Sequence, residues 1–186
     1  MIISVILVTT LIIFLFGCLV FVNVFLFGMS LSDGTDAPYV MSPHAIVDRI
    51  IAHGCISDKS LLVELGCGEA RILRHIVRKT KCKGIGVERN PIFIFLARIY
   101  SRIDGTCGRI IFEKKDISEA DLSRADVVYF FMTKDFVLSD KLNNLLKSNI
   151  RRGTVVISHW YEIPLLKDKE FAKENISKLP TYFYRI

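Results

Sequence analysis

The residues with the clearest capacity for chemistry lie in one short run, Glu64-Leu65-Gly66-Cys67-Gly68-Glu69-Ala70-Arg71. Glycines at Gly66 and Gly68 let a backbone turn sharply and approach a ligand closely. Glu64 precedes them as a potential partner for a cation. Glu88 follows twenty residues after Gly68, and a third acid, Asp116, lies further on. A carboxylate at Glu88 can accept hydrogen bonds from both hydroxyls of a ribose. Asp116 can accept from the amino group of an adenine, or instead cap a helix that begins at Ile117. Together these residues point to an adenosine-type cofactor.

A dinucleotide fingerprint would read G-x-G-x-x-G, its third glycine allowing close helix packing beside a pyrophosphate. Arg71 occupies that third position, so the fingerprint fails. An acid at the mouth of the turn also suits a pyrophosphate badly. It suits the amino group of S-adenosylmethionine. The expected cofactor set is therefore Glu64, Gly66, Gly68, Glu88 and Asp116.

These residues need elements to hold them. LLVEL (61–65) reads as a short apolar strand, and Ile72, Leu73, Ile76 and Val77 recur at helical spacing over about 69–79, with Arg71, Arg74 and Arg78 on the other side. GIGVE (84–88) is a second strand, and Pro91 opens a helix with Phe95, Leu96, Ile99 and Ile103 on one stripe. Further strands are expected at 109–116, 126–132, 153–160 and 181–186, with a helix at about 138–148. Ser42-Pro43 signals a helix start, Ser as cap and Pro in the first turn, and Gly54 ends that helix. Such alternation implies an α/β fold, a Rossmann-like parallel sheet with helices on both faces. Ligands of such sheets lie at the carboxyl ends of the strands, where strand order reverses.

The amino-terminal 32 residues contain no charged side chain. A bilayer core takes ~20 apolar residues in helical form. A cleaved leader would carry a basic start and a small-residue cleavage pattern, and neither is present. The expected organisation is a single transmembrane anchor over 1–30, a linker over 31–41 and a catalytic domain over 42–186. Positive charge does not orient the span, because the first basic residue after it is Arg49.

Composition narrows the partners. The 25 basic and 19 acidic residues give a net charge of +6, short of the dense basic stripe of a nucleic-acid binder. No nucleic-acid partner is expected. Cys18, Cys55, Cys67, Cys82 and Cys107 are scattered without metal-ligand spacing. His44, His53, His75 and His159 do not cluster with them and read as surface or cap residues. No metal is expected, and an odd, unpatterned set of thiols suggests a reducing, cytoplasmic setting.

The motifs resemble those of the seven-strand S-adenosylmethionine-dependent methyltransferases. Within that class the chain resembles the membrane-anchored protein-lysine methyltransferases of the ATP synthase c-subunit and adenine nucleotide translocase. Tyr39-Val40-Met41-Ser42 resembles that group's Tyr-Val-Pro-Thr segment. Leu62-Val63-Glu64-Leu65-Gly66-Cys67-Gly68 resembles its Val-Asp-Leu-Gly-Ser-Gly turn. Gly86-Val87-Glu88-Arg89-Asn90-Pro91 resembles its Gly-Tyr-Glu-Leu-Asn-Pro element. The resemblance adds Asn90 to the cofactor set. It implies methylation of lysine on a membrane-associated protein. The chain departs from the group at Ala70, at Phe131-Met132-Thr133-Lys134, and at Ser158-His159-Trp160, where an Arg-Phe-Pro segment is usual.

A lysine acceptor must arrive neutral, which an apolar, water-poor slot favours. Tyr39, Phe131, Met132, Trp160 and Tyr161 are candidates to line it, with Tyr39 and Trp160 as the catalytic pair. The D/N-P-P-Y signature of base methylation is absent after the fourth strand. Two alternatives stand beside this reading. One is methylation of a lipid or small hydrophobic acceptor. The other is a nucleotide-binding membrane module without methyltransferase activity. A cytosolic cofactor would place the domain on the cytoplasmic side.

Overall fold

The computed structural model describes residues 2–30 and 45–186, in two compact units divided near Thr35. The first is one helix, α1 (Ile2–Ser30). Its Ser4–Asn23 stretch has a mean hydropathy of 3.0 over 20 residues, long and apolar enough to cross a bilayer. Three polar side chains in it bond back to the helix. Thr9, Thr10 and Asn23 donate to the carbonyls of Val5, Ile6 and Leu19, at 2.8, 2.7 and 2.8 Å. The Ser42-Pro43 helix start and the 31–41 linker lie outside the described residues.

The second unit is a seven-stranded sheet. Its strands are β1 (Leu61–Leu65), β2 (Lys83–Glu88), β3 (Ile110–Lys114), β4 (Val127–Phe131), β5 (Val155–His159), β6 (Glu170–Ile176) and β7 (Leu179–Arg185). Their order is β3-β2-β1-β4-β5-β7-β6. The first five run parallel, and β7 lies antiparallel to β5 and β6. The order reverses between β1 and β4, so the ligand crevice of such a sheet opens at their carboxyl ends. β4 reads VVYFF because both its faces are covered.

Helices α2 (Ile46–Gly54), α3 (Arg71–Thr80) and α4 (Pro91–Ile103) contribute to one core layer. Helices α5 (Lys134–Val137) and α6 (Asp140–Asn149) contribute to the other. Asn90 caps α4 through its side chain, with Pro91 in the first turn. Thr133 and Ser139 cap α5 and α6. The helix expected at about 138–148 is α6, and the short α5 before it was not expected.

The structure departs from the sequence reading at the sheet edge and at Arg74, and adds detail at Gly54 and α4. The sheet is mixed, because β6 and β7 form a hairpin the sequence reading did not include. Its turn residues, Ser177 and Lys178, both have positive φ (51° and 71°), a conformation usually signalled by Asn or Gly. Gly54 is the last helical residue of α2, and the left-handed cap is Cys55 at φ 49°. Gly54 is small for packing, since a Cβ there would meet Val127 Cγ2 at 3.0 Å. Arg74 is buried, paired with Asp104 and lying 5.1 Å from the Tyr100 ring centroid. Finally, α4 buries Phe93, Ile94, Ala97 and Ser101, and turns the Phe95–Ile103 stripe outward.

Candidate active site

The turn from β1 to α3 holds alternate residues in the left-handed region: Gly66 at φ 66°, Gly68 at 54° and Ala70 at 57°. Glycine adopts this region freely, whereas Ala70 is held there by burial and by its amide's 2.7 Å bond to the Cys67 carbonyl. A Cβ on Gly66 would stand 2.1 Å from Met132 Cε. Cys67 fills the space over Gly86, where a Cβ would meet its sulfur at 2.8 Å. Burial pushes the Cys67 thiol well above its usual range, so it is a packing group.

Glu88 ends β2 and ties the crevice together. Its Oε2 accepts from the Gly68 amide at 3.0 Å and its Oε1 from the Asn90 amide at 2.8 Å. A carboxylate has about four lone-pair sites, so this leaves acceptor capacity for a ligand hydroxyl. The Asn90 side chain is largely buried and accepts from the Ile92 amide at 2.9 Å, which makes it a cap at the crevice edge.

Glu64 departs from the expected charge. It is buried, and its Oε2 accepts from the Leu73 amide of α3 at 3.1 Å. Burial raises its pKa to about 8, against the opposing pulls of that amide and of Arg74. At neutral pH the group is mostly a neutral acid, not the resident anion the sequence suggests. Asp116 caps a turn through one of its two carboxylate oxygens. Its Oδ1 accepts from the amide and hydroxyl of Ser118 at 2.9 and 2.6 Å, capping a single 3-10 turn. Those bonds lower its pKa, and Oδ2 lies 4.0 Å from Arg89 Nη1.

An aromatic wall stands at the ends of β4 and β5. Phe131, His159 and Thr181 form one row across β4, β5 and β7. The His159 ring meets Phe131 edge-on at 4.8 Å, and Trp160 lies 5.9 Å from Phe131 and stacks on Tyr161 at 4.8 Å. Trp160 has φ 91°, a costly conformation for a bulky residue. It is held by its amide's 2.7 Å bond to the Pro180 carbonyl and by Ser158 Oγ donating to the Tyr161 carbonyl at 2.6 Å. Lys134 is exposed in the first turn of α5. Tyr39 lies outside the described residues.

His159 was expected at the surface and is fully buried. Its Nδ1 pairs with Thr181 Oγ1 at 2.7 Å, and its Nε2 has no hydrogen-bond partner among the described residues. Burial lowers its pKa to about 4, so the ring is neutral near pH 7. The alternation along VVISH assigns His159 to the face of Val155 and Ile157, a signal that could have identified it.

A parallel sheet reversing between β1 and β4, a glycine turn after β1 and an acid ending β2 define a class I S-adenosylmethionine-dependent methyltransferase. Residues 64–170 match the family described as "ANTKMT methyltransferase domain", and the chain belongs to that family. A protein-lysine N-methyltransferase of Saccharolobus islandicus is 31% identical over 137 residues, 73% of this chain and 84% of that protein. An RNA methyltransferase from Salinibacter ruber, solved with S-adenosyl-L-homocysteine, is 26% identical with a TM-score of 0.73, covering 79% of this chain and 94% of its own. A precorrin-6y C5,15-methyltransferase from Geobacter metallireducens shares the fold at 11% identity and a TM-score of 0.60, covering 80% of this chain and 90% of its own.

Proposed function

We propose that the chain methylates lysine on a membrane-associated protein, with α1 as its anchor and the catalytic domain in the cytoplasm. The observation that carries the acceptor reading is the Phe131–His159–Trp160 wall at the strand ends. Its one titratable member is neutral near pH 7. A neutral amine is the nucleophile, and apolar walls favour that form. The similarity to a lysine methyltransferase supports the same acceptor.

The residues present fit the cofactor. The Gly66–Gly68 backbone allows close approach, and Glu88 keeps acceptor capacity while its backbone partners fix its direction. Glu88 is assigned to the ribose and Asp116 to the adenine edge. Glu64 is assigned to the amino group, through its neutral or ionised form. Asn90 holds Glu88 and the start of α4. When bound, S-adenosylmethionine supplies an electrophilic methyl group. Trp160 and Phe131 exclude water and, with Tyr39, orient the acceptor amine. Orientation alone can supply ~7–11 kcal/mol of a barrier in favourable cases.

Incubating the full chain with labelled S-adenosylmethionine and membrane extract tests this. Label in a protein band, at lysine by mass spectrometry, supports the proposal. Label only in lipid or a small molecule replaces the acceptor class. Label only in RNA, the acceptor class of the Salinibacter relative, replaces it too. Removing residues 1–30 should leave cofactor affinity intact and slow methylation of the native target.

A further inference from the structure

We propose that the outer face of α4 is a lipid-contact surface that seats the catalytic domain on an anionic membrane. The inference rests on the membrane reading above and adds how the domain is held. The sequence places Phe95, Leu96, Ile99 and Ile103 on one stripe, and that stripe is not the one the helix packs on the sheet. Phe95 is 61% exposed and Ile103 73%. The face toward β2 and β3 is made by Phe93, Ile94, Ala97 and Ser101.

At 3.6 residues per turn, Ile92, Phe95, Leu96, Ile99 and Ile103 share an arc of ~100°; Phe95 and Ile103 are exposed on it and the other three are half-buried. Arg98 and Arg102, both exposed, border that arc on one edge. The helix contains no Asp or Glu. The acid that follows it, Asp104, is paired with Arg74, and Glu113 on β3 is paired with Lys115 at 2.8 Å. An apolar face with a purely basic rim is the pattern of a helix lying in a membrane interface. A protein groove would call for a rim of mixed sign.

Chain length favours the same occupant. Only residues 31–45 separate α1 from α2. Fifteen residues span at most ~50 Å even when fully extended. The domain of an anchored chain therefore stays near the lipid. α4 begins beside Asn90, whose amide bonds to Glu88, so seating α4 brings one edge of the candidate site to headgroup level.

Vesicle flotation of residues 36–186 tests the proposal. This fragment is one of the two compact units and contains both core layers. Vesicles of phosphatidylcholine are compared with vesicles holding about 30 mol % phosphatidylserine. The fragment should float with the anionic vesicles and bind neutral ones less. F95S together with I103S should cut binding at least about tenfold, the scale of removing two large apolar side chains from lipid. R98Q together with R102Q should weaken binding to anionic vesicles alone. Unchanged S-adenosylmethionine affinity checks that the variants are folded. A wild-type fragment that stays in solution overturns the proposal, as does wild-type binding by the F95S/I103S variant. Carbonate extraction of the full chain reads the α1 anchor separately, so either reading can fail without the other.

Discussion

Met132 covers Gly66: the methyl end of its side chain lies 2.1 Å from where a Cβ on Gly66 would stand. The exit of β4 thus closes over the turn after β1. G66A should destabilise the domain by about 2–4 kcal/mol, combining overpacking with a left-handed alanine. M132A alone should cost about 2–5 kcal/mol by leaving a cavity. In the double variant the loss should be at least ~1 kcal/mol smaller than the sum, because the clash is gone. Denaturant unfolding of the four proteins measures this, and simple additivity would show that Met132 does not restrict Gly66.

Glu88 should discriminate ribose hydroxyls. E88A should weaken S-adenosylhomocysteine binding by more than ~1 kcal/mol, the scale of a hydrogen bond to a charged group. Because Glu88 also holds Gly68 and Asn90, affinity loss alone would not isolate the ribose contact. Calorimetry with a 3′-deoxy analogue does: the wild type should lose affinity for it, and E88A should bind both ligands alike. Equal discrimination by both proteins would remove Glu88 from the ribose.

The strands around the crevice were legible because each is a local apolar run, with Gly66 following β1 and Glu88 ending β2. β6 was not. EFAKENI lacks the alternation of polar and apolar residues that marks a strand, and its pairing depends on a turn without glycine. For α4 the periodicity gave two faces but not which one is buried. The small residues Ala97 and Ser101 made the sheet-facing side, where close approach matters more than bulk. In the site, the spacing from Gly68 to Glu88 was readable from the sequence. The inward face of His159 was readable from the alternation of VVISH, but its partner was not, since Thr181 lies on β7, 22 residues away.

Two buried groups set opposing pH dependences. Glu64 has its pKa raised from 4.5 to about 8, so between those values the folded state holds more protons than the unfolded and stability falls as pH rises. His159 has its pKa lowered from 6.5 to about 4, so over that interval the unfolded state holds more protons and stability falls as pH drops. The two slopes offset each other from about pH 4.5 to 6.5, and Glu64 acts alone above that. E64Q should remove the decline between pH 6.5 and 8, which is bounded by ~1.4 kcal/mol per pH unit for one proton. Unfolding series across pH, wild type against E64Q, check it; identical profiles would contradict a neutral Glu64.

S-adenosylmethionine binding should also release protons near pH 7 if its amino group ionises Glu64. Calorimetry in buffers of different ionisation enthalpy measures the release. E64Q should abolish it. A buffer-independent heat in the wild type would separate Glu64 from the cation.

The free thiols report topology. Cys55 and Cys107 are exposed, whereas Cys67 and Cys82 are buried. A membrane-impermeant thiol reagent should label Cys55 and Cys107 only after cells are lysed. Labelling in intact cells would put the domain on the outer side.

The inward bonds of Thr9, Thr10 and Asn23 leave α1 with few polar handles. In lipid, spans commonly associate by sharing hydrogen bonds between helices. Here the hydroxyl hydrogens of Thr9 and Thr10 and one amide hydrogen of Asn23 go to the helix's own carbonyls. For the anchor proposed above, a second copy of α1 would gain little from these donated hydrogens, which suits a helix that diffuses singly in the plane of a bilayer. Any self-association of the enzyme would then have to be built outside these three side chains.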